Sequence, residues 1–530
     1  MAKTHRLSVA QAKTGTGKTL AFLVPIVQRI IAEQPELATP MRGGRTRSDD
    51  IRAIILSPTR ELAEQIGAEA MKLCRSTGVV VQTAVGGTQK NEMLRRTRMQ
   101  GCHLMIATPG RLHDLLSDPT SGIKAPRLAA LVLDEADRML EHGFKMELED
   151  ILKYVPSRDE APRQTLLYSA TLPKNVVGLA RQFVDPTNFE FVQTVKADEV
   201  PTHQRVPQYI VPCHGFENLP PTLLELIRRD VAKARSDPSK TPFKAIVFLP
   251  TTASVVSYSF MFRRIKYHDR AMPLILDIHS KLTQHSRTRN AEQFRNSESA
   301  ILFSSDVSAR GMDFPNVTHV IQLHLPQDRE LYIHRIGRTG RAGKEGEAYT
   351  LVSDVEIPSA RTRLPGLPIQ RCTDFENASI DVSKLPELPP LWQEIQDAAQ
   401  KIPQEVLSDT YRGFLGNAIR DVNRSDVISE ANNMAKYTWG LDGAPNGGGG
   451  RGGDRDRDGG RGGFGDRGGY GGRGDRGGFG GRGGDRGGDR GGFGGRGRGR
   501  PEDGFESMER QSREYNRNSG RGQRREPPAF

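Results

Sequence analysis

The sequence predicts an α/β architecture: two parallel-sheet domains in tandem, then a helical extension and an Arg/Gly-rich tail. Three observations carry this. Short apolar runs alternate with helix-length stretches from residue 12 to about 193 and again to about 360, as strands buried on both faces do. The runs end directly on polar or glycine-bearing clusters, which puts those clusters on one rim of each sheet, where open parallel sheets bind ligands. Around Gln193 to Pro207 the alternation lapses and Pro201 and Pro207 interrupt, so a linker separates two units. The implied boundaries are 1–193, a linker at 194–207, 208–365, a helical stretch at 366–444 and the tail at 445–530.

In chain order, Leu7 to Ala10 supplies part of a first strand. Ala12-Lys13-Thr14-Gly15-Thr16-Gly17-Lys18-Thr19 follows, ahead of the apolar helix-like run Leu20 to Ile31. Gly15 and Gly17 let the backbone curl so that its N–H groups face phosphate oxygens, and the helix N-terminus adds its dipole. Lys18 offers a cation to β/γ-phosphates, and the Thr19 hydroxyl is a ligand for Mg²⁺. The generic motif opens on Gly where Ala12 stands, so only its second half is met. Pro35 to Asp50 reads as a polar surface loop. Strands are expected at Ala53–Leu56, Leu104–Ala107, Ala130–Leu133 and Thr165–Tyr168, ending at Pro58-Thr59-Arg60, Thr108-Pro109, Asp134 and Ser169. Asp134-Glu135-Ala136-Asp137 thus brings carboxylates to the rim. Aspartate there can hold Mg²⁺ through water, and the adjacent glutamate can orient or deprotonate an attacking water. In isolation an acidic turn after a core strand would look the same; the phosphate loop upstream favours nucleotide chemistry.

Strands of the second unit are expected at Lys244–Leu249, Leu274–Ile278, Ala300–Ser304 and His319–Leu323. Trp392 to Ile402 and Val406 to Ile419 read as amphipathic helices packed on it. The tail interleaves Arg-Gly-Gly units with Phe464, Tyr470, Phe479 and Phe493; it cannot bury enough apolar area to offset chain entropy and is expected to be disordered. Arginine and aromatic rings suit single-stranded nucleic acid, with a solvating linker as the other reading. Of 530 residues, 76 are basic and 64 acidic, a net charge of +12 that favours a polyanion, although an acidic membrane surface would satisfy the same number. Cys74, Cys102, Cys213 and Cys372 form no C-x-x-C pair and read as reduced thiols. No apolar run approaches the ~20 residues needed to cross a bilayer, so no membrane partner is expected.

Further motifs appear in a fixed order: Pro58-Thr59-Arg60-Glu61-Leu62-Ala63, Gly86-Gly87, Thr108-Pro109-Gly110-Arg111 and Ser169-Ala170-Thr171, then Gln284-x-x-Arg287, Asp306-x-x-Ala309-Arg310-Gly311-x-Asp313 and His334-Arg335-Ile336-Gly337-Arg338-Thr339-Gly340-Arg341. With Asp134-Glu135-Ala136-Asp137, these resemble the DEAD-box ATP-dependent RNA helicases over residues 7 to 360. The resemblance implies two RecA-like domains and ATP with Mg²⁺, held by Ala12 through Thr19 and by Asp134. It implies Glu135 as the group that activates water, Arg338 and Arg341 as arginine fingers, and Gly311 and Asp313 beside the ribose. RNA phosphates would be held sequence-independently by Pro58, Thr59, Arg60, Gly86, Gly87, Thr108, Pro109, Gly110, Arg111, Arg287, Asp306 and Arg310. Ser169 and Thr171 would couple the nucleotide state to RNA through Asp137 and His334.

Family members carry an aromatic residue and a Gln-containing adenine motif upstream of the phosphate loop. Met1 to Gln11 show neither, so the chain resembles a member beginning at that loop, with weakened adenine selectivity. The core and extension look most like fungal mitochondrial RNA chaperones that assist intron splicing and translation. The implied location is the mitochondrial matrix, with nucleus or cytoplasm as the alternative, and a monomer is expected. The competing function is an ATPase-impaired protein that anneals or tethers RNA.

Overall fold

The computed structural model describes residues 7–11, 17–40, 47–141, 143–157, 160–161, 163–169, 177–178, 183, 189–193, 206–306, 312–341, 344–416 and 422–445. The first sheet holds β1 (Leu7–Gln11), β2 (Ala53–Leu56), β3 (Val81–Ala84), β4 (Leu104–Ala107), β5 (Ala130–Leu133), β6 (Gln164–Ser169) and β7 (Phe189–Gln193), all parallel, in the order β3-β4-β2-β5-β6-β1-β7. Its helices are α1 (Lys18–Glu33), α2 (Arg60–Leu73), α3 (Lys90–Gln100), α4 (Pro109–Leu116), α5 (Ala136–Glu141) and α6 (Lys145–Lys153).

Alternation along β2 shows why the strand reads as continuously apolar. Ile55 packs with Phe22, Leu23, Ile26 and Ile66 on one face of the sheet, while Ile54 packs with Met105, Leu112 and Leu148 on the other. With helices on both faces, β2, β4 and β5 are buried at every position.

The second sheet repeats the plan. It holds β8 (Gln208–Cys213), β9 (Lys244–Phe248), β10 (Leu274–Ile278), β11 (Ala300–Ser304), β12 (His319–Leu323), β13 (Glu347–Ser353) and β14 (Ile369–Arg371), in the order β10-β11-β9-β12-β13-β8-β14. Around it lie α7 (Leu219–Ser236), α8 (Thr252–His268), α9 (Gln284–Asn296), α10 (Arg329–Ile336) and α11 (Ile357–Arg363). β14 corrects the reading of 366–444 as wholly helical: Ile369–Arg371 adds to β8 as an edge strand, with only Ile369 buried. Three residues are too few to show a period. Within the Pro35–Asp50 loop, Pro35–Ala38 forms a 3₁₀ turn pinned by the buried Leu37.

The extension comprises α12 (Pro390–Ala399), α13 (Gln404–Gly416) and α14 (Arg424–Asn433), closed by a π-helical turn at Met434–Thr438. It shares one apolar core with α7 and α8. Trp392 and Trp439 are fully buried, and the Trp392 indole N–H donates to Asn377 Oδ1 at 3.0 Å. Phe414 packs on Phe216 and His324, at 5.5 and 5.3 Å between ring centroids. The expected disordered tail lies outside the described residues from 446 onward, as do residues 194–205 of the linker expected at 194–207.

One ionisable group sits in this seam. Glu430 of α14 accepts the Phe216 N–H on Oε2 at 2.6 Å, close to the buried Glu217. Burial first, then the Glu217 carboxylate, push the Glu430 carboxyl up to about 8. An acid raised in the folded state contributes stability that is full below its unfolded value and lost as pH rises through the folded one. Thermal unfolding followed from about pH 5 to about pH 8 should therefore show falling stability toward the alkaline end. Glu430→Gln should flatten that slope by about 1–2 kcal/mol, a figure held down by the side chain's partial exposure.

Candidate functional site

The nucleotide side is built where β1 and β5 meet their helices. Ala12, Lys13, Thr14, Gly15 and Thr16 lie outside the described residues. Gly17 precedes α1 with φ 85°, a left-handed conformation that suits glycine, and Lys18 and Thr19 open the helix. The Lys18 Nζ is buried without a hydrogen-bond partner among the described residues, and its charge acts on Asp134. Asp134 Oδ1 accepts the Glu135 N–H at 3.0 Å. Burial pushes the Asp134 carboxyl up to about 7, against the opposing pull of Lys18. Glu135 itself has φ 52°, and strain of about 1–3 kcal/mol is the usual cost there for a non-glycine residue. Its Oε2 is also buried and unpartnered among the described residues.

An ammonium and carboxylates held at a sheet rim with unsatisfied atoms form a site shaped for a charged ligand. The oxygen donors of Thr19 and Asp134 fit a hard divalent cation such as Mg²⁺. Asp137, in the first turn of α5, and Ser169, the last residue of β6, are buried, at 2% and 1% exposure. Thr171 lies outside the described residues.

On the second sheet the arginines are held by their own domain. Arg335 donates from Nε to Asp306 Oδ1 at 2.8 Å and from Nη1 to Gln322 Oε1 at 3.1 Å. Arg338 Nε donates to the His334 carbonyl at 3.3 Å and Nη1 to that of Met312. Arg341 pairs with Asp313, so this candidate finger and the candidate ribose ligand are brought together. Arg310 and Gly311 lie outside the described residues. Asp306, expected at RNA, pairs with Arg335, and its carbonyl accepts Arg138 Nη2 at 3.3 Å across the two sheets. His334 is buried on α10.

The other rim residues divide between ligand-facing and structural positions. Thr59 caps α2, its Oγ1 accepting the Leu62 N–H at 3.3 Å. Pro58 is buried behind it. Arg60 lies over the Gly86-Gly87 backbone: a Cβ added at Gly86 would sit 3.1 Å from Nη2, and one at Gly87 3.1 Å from Cζ. The paired glycines are there to let the guanidinium pass. Gly87→Ala, which also meets a φ of +78°, should displace Arg60 and weaken RNA binding about tenfold, measured by fluorescence anisotropy, with ATP affinity unchanged. Thr108 precedes α4, with Pro109 buried at its first turn and Gly110 exposed. Arg111 grips the same glycine loop through Thr88 Oγ1 and carbonyl at 3.2 and 3.1 Å.

Arg287 occupies a different place from an open phosphate ligand. Its guanidinium pairs with Glu61 at 2.7 Å across the domains, with both side chains nearly sealed, and also donates to the Leu282 and Ser280 carbonyls. Beside it Gln284 and Thr288 donate to Glu64 at 3.2 and 3.1 Å, and Gln65 Oε1 accepts the Asp313 N–H at 3.0 Å. Sequence reasoning missed Glu64, Gln65, Thr288 and Arg138, and gave Glu61 no role of its own. The available signal was spacing: Glu61 and Glu64 share one face of α2, as Gln284, Arg287 and Thr288 share one face of α9.

Residues 2–179 match the family described as DEAD/DEAH box helicase, and residues 224–343 match the helicase conserved C-terminal domain. The mitochondrial ATP-dependent RNA helicase cyt-19 of Neurospora crassa is 59% identical over 82% of this chain and 70% of its own length. The chain belongs to the DEAD-box RNA helicases. A second DEAD-box relative, the mitochondrial mss116 of Aspergillus fumigatus, is 47% identical over 82% of this chain and 68% of its own length. Among solved DEAD-box structures, Mss116p bound to single-stranded RNA and AMP-PNP matches with a TM-score of 0.68 and 29% identity, covering 82% of this chain and 83% of that one. S. cerevisiae Dbp5 bound to RNA and ADP BeF3 matches with 0.54 and 27%, covering 69% and 85%. The likeness to Mss116p accounts for the DEAD-box core as two tandem RecA-like sheets.

Proposed function

We infer that this chain is an ATP-dependent RNA helicase that couples ATP hydrolysis to local remodelling of RNA. The observation that carries the reading is the buried Lys18 ammonium, without a hydrogen-bond partner among the described residues, beside Asp134 and Glu135, on a rim joined to the Arg335–Asp306 pair through Arg138.

Lys18 would meet the β- and γ-phosphates, and Glu135 would orient and deprotonate the attacking water. Thr19 and Asp134 would hold Mg²⁺, which supplies charge neutralisation to the phosphates when bound. Arg338 and Arg341 leave the Met312 carbonyl and Asp313 for the γ-phosphate, freeing Asp313 for the ribose beside Gly311. Asp137, Ser169, Thr171 and His334 would pass the nucleotide state to the RNA side. There Arg60, Gly86, Gly87, Thr108, Gly110, Arg111 and Arg310 hold phosphates without reading bases, so binding is sequence-independent. Arg287 acts by clasping the domains, and the Arg/Gly-rich tail tethers RNA nonspecifically.

The mitochondrial names of cyt-19 and mss116 support a mitochondrial site of action, and roles in intron splicing and translation rest on the resemblance of the core and extension to fungal mitochondrial RNA chaperones. The ATPase-impaired reading is not favoured, since Lys18, Glu135 and Arg341 are all in place. Displacement of a short RNA duplex by the 1–530 chain tests the function: strand release with ATP and none with ADP is expected. Annealing without any ATP dependence would sink the helicase reading and support the tethering one.

A further inference from the structure

We propose that the outward face of α8 is a second contact surface for single-stranded RNA, separate from the cleft between the sheets. It rests on the reading above only in taking RNA as this chain's polymer.

α8 buries Val255, Tyr258, Met261, Phe262 and Ile265 against the sheet, and the extension helices α12 and α13 pack along it. The face left over is not the polar one expected of a covering helix. Phe260, Arg264 and Tyr267 fall at i, i+4 and i+7, on one stripe. Phe260 is 44% exposed and Tyr267 76%. Arg264 has no carboxylate partner among the described residues; its guanidinium lies 5.7 Å from the centre of the Tyr267 ring. His268 adds its ring edge-on to Tyr267 at 5.2 Å, and Arg270 is exposed just beyond the helix.

The carboxylates close by do not cancel this charge. Asp277 is paired with Arg263 at 2.6 Å, and Asp269 with Arg228 at 3.0 Å, while Arg228 also holds Glu394 at 2.7 Å. The stripe therefore presents aromatic rings and a positive field together. Scattered exposed apolar residues are ordinary and need no partner. Two rings about 10 Å apart on one helix face, with an unpaired arginine between them, have the chemistry of a stacking platform for bases with a phosphate contact. A protein partner would find no comparable apolar patch, because the rings are separated by charge.

The occupant is also indicated by how the chain leaves the extension. Ser408 of α13 donates its hydroxyl to the Pro445 carbonyl at 3.3 Å, so the chain departs toward its Arg-Gly-Gly units from the helix layer that packs on α8. A strand engaged by the Arg-Gly-Gly units is thereby tethered to the same chain as the stripe, which raises its effective concentration there.

The test uses the full 1–530 chain and two uridine-rich RNAs, one of about ten nucleotides and one of about thirty. Binding is measured without nucleotide, and photo-crosslinks are mapped by mass spectrometry. Wild type should crosslink the longer RNA at Phe260 or Tyr267. The double variant Phe260→Ala/Tyr267→Ala, and separately Arg264→Glu, should weaken the longer RNA about tenfold, with binding of the shorter RNA and its ATPase stimulation unchanged. Tyr267→Phe should restore what Tyr267→Ala loses. No crosslink on α8 together with undiminished binding of the longer RNA would overturn the proposal. So would equal loss for both RNAs, which signals a fold defect, or abolition of a concentration-dependent dimer, which makes the stripe a protein contact. If wild type shows no RNA-stimulated hydrolysis yet crosslinks on α8, the helicase reading fails and the stripe survives.

Discussion

Glu135→Gln should cut RNA-stimulated ATP hydrolysis by about 10²–10⁴-fold, the range for removing a positioned general base. The substitution keeps the volume of the side chain and removes only its charge and basicity. Glu135 already sits at φ 52°, so the backbone strain is the same in both proteins and the fold should not distinguish them. The neighbouring Asp134 loses one of the carboxylates that raise it, which favours its ionised form. Hydrolysis followed by phosphate release should thus collapse while RNA binding in the presence of AMP-PNP persists. Equal turnover in variant and wild type would remove Glu135 from the chemistry.

Breaking the clasp between the domains is the second large effect. Arg287 and Glu61 form an ion pair with side chains only 7% and 5% exposed. Removing one partner of such a pair strands a buried charge and costs about 3–5 kcal/mol. Because the pair bridges the two sheets, that cost falls on the closed arrangement. RNA-stimulated hydrolysis by Arg287→Ala should drop by about 10²–10³-fold, corresponding to the lower end of that cost. Nucleotide affinity of the first domain should change little. The exchanged pair Glu61→Arg/Arg287→Glu should recover much of the loss, and Glu61→Met/Arg287→Met should also be milder than the single change. Failure of both doubles to recover activity, with inter-domain distances by FRET unchanged throughout, would mean that Arg287 acts directly on RNA.

The nucleotide half of the site was legible in the sequence because its chemistry is local. Lys18 and Thr19 follow glycines at fixed spacing, and Asp134 and Glu135 end a strand whose neighbours are wholly apolar. Among the strands that the sequence hid, two have mixed faces: β3 carries the buried Gln82, and β13 begins at Glu347 and carries the buried Thr350. Their apolar periodicity is broken by polar groups that find partners only in the folded sheet. Arg287 and Glu61 lie 226 positions apart, and nothing along the chain announces that they meet. Asp306 and Thr59, each in a motif expected at RNA, also have partners that the sequence does not announce: Asp306 pairs with Arg335 and Thr59 caps a helix.

In both sheets the strand made first lies between the two made last: β1 between β6 and β7, β8 between β13 and β14. As the chain emerges from a ribosome, β1 must wait for Gln164–Ser169 before either of its edges is paired, and for Phe189–Gln193 before both are. Each sheet thus keeps its first strand, one place in from the sheet edge, unpaired until nearly the whole domain has been synthesised. Slowing translation cannot shorten that wait, because it is set by the order of the strands along the chain.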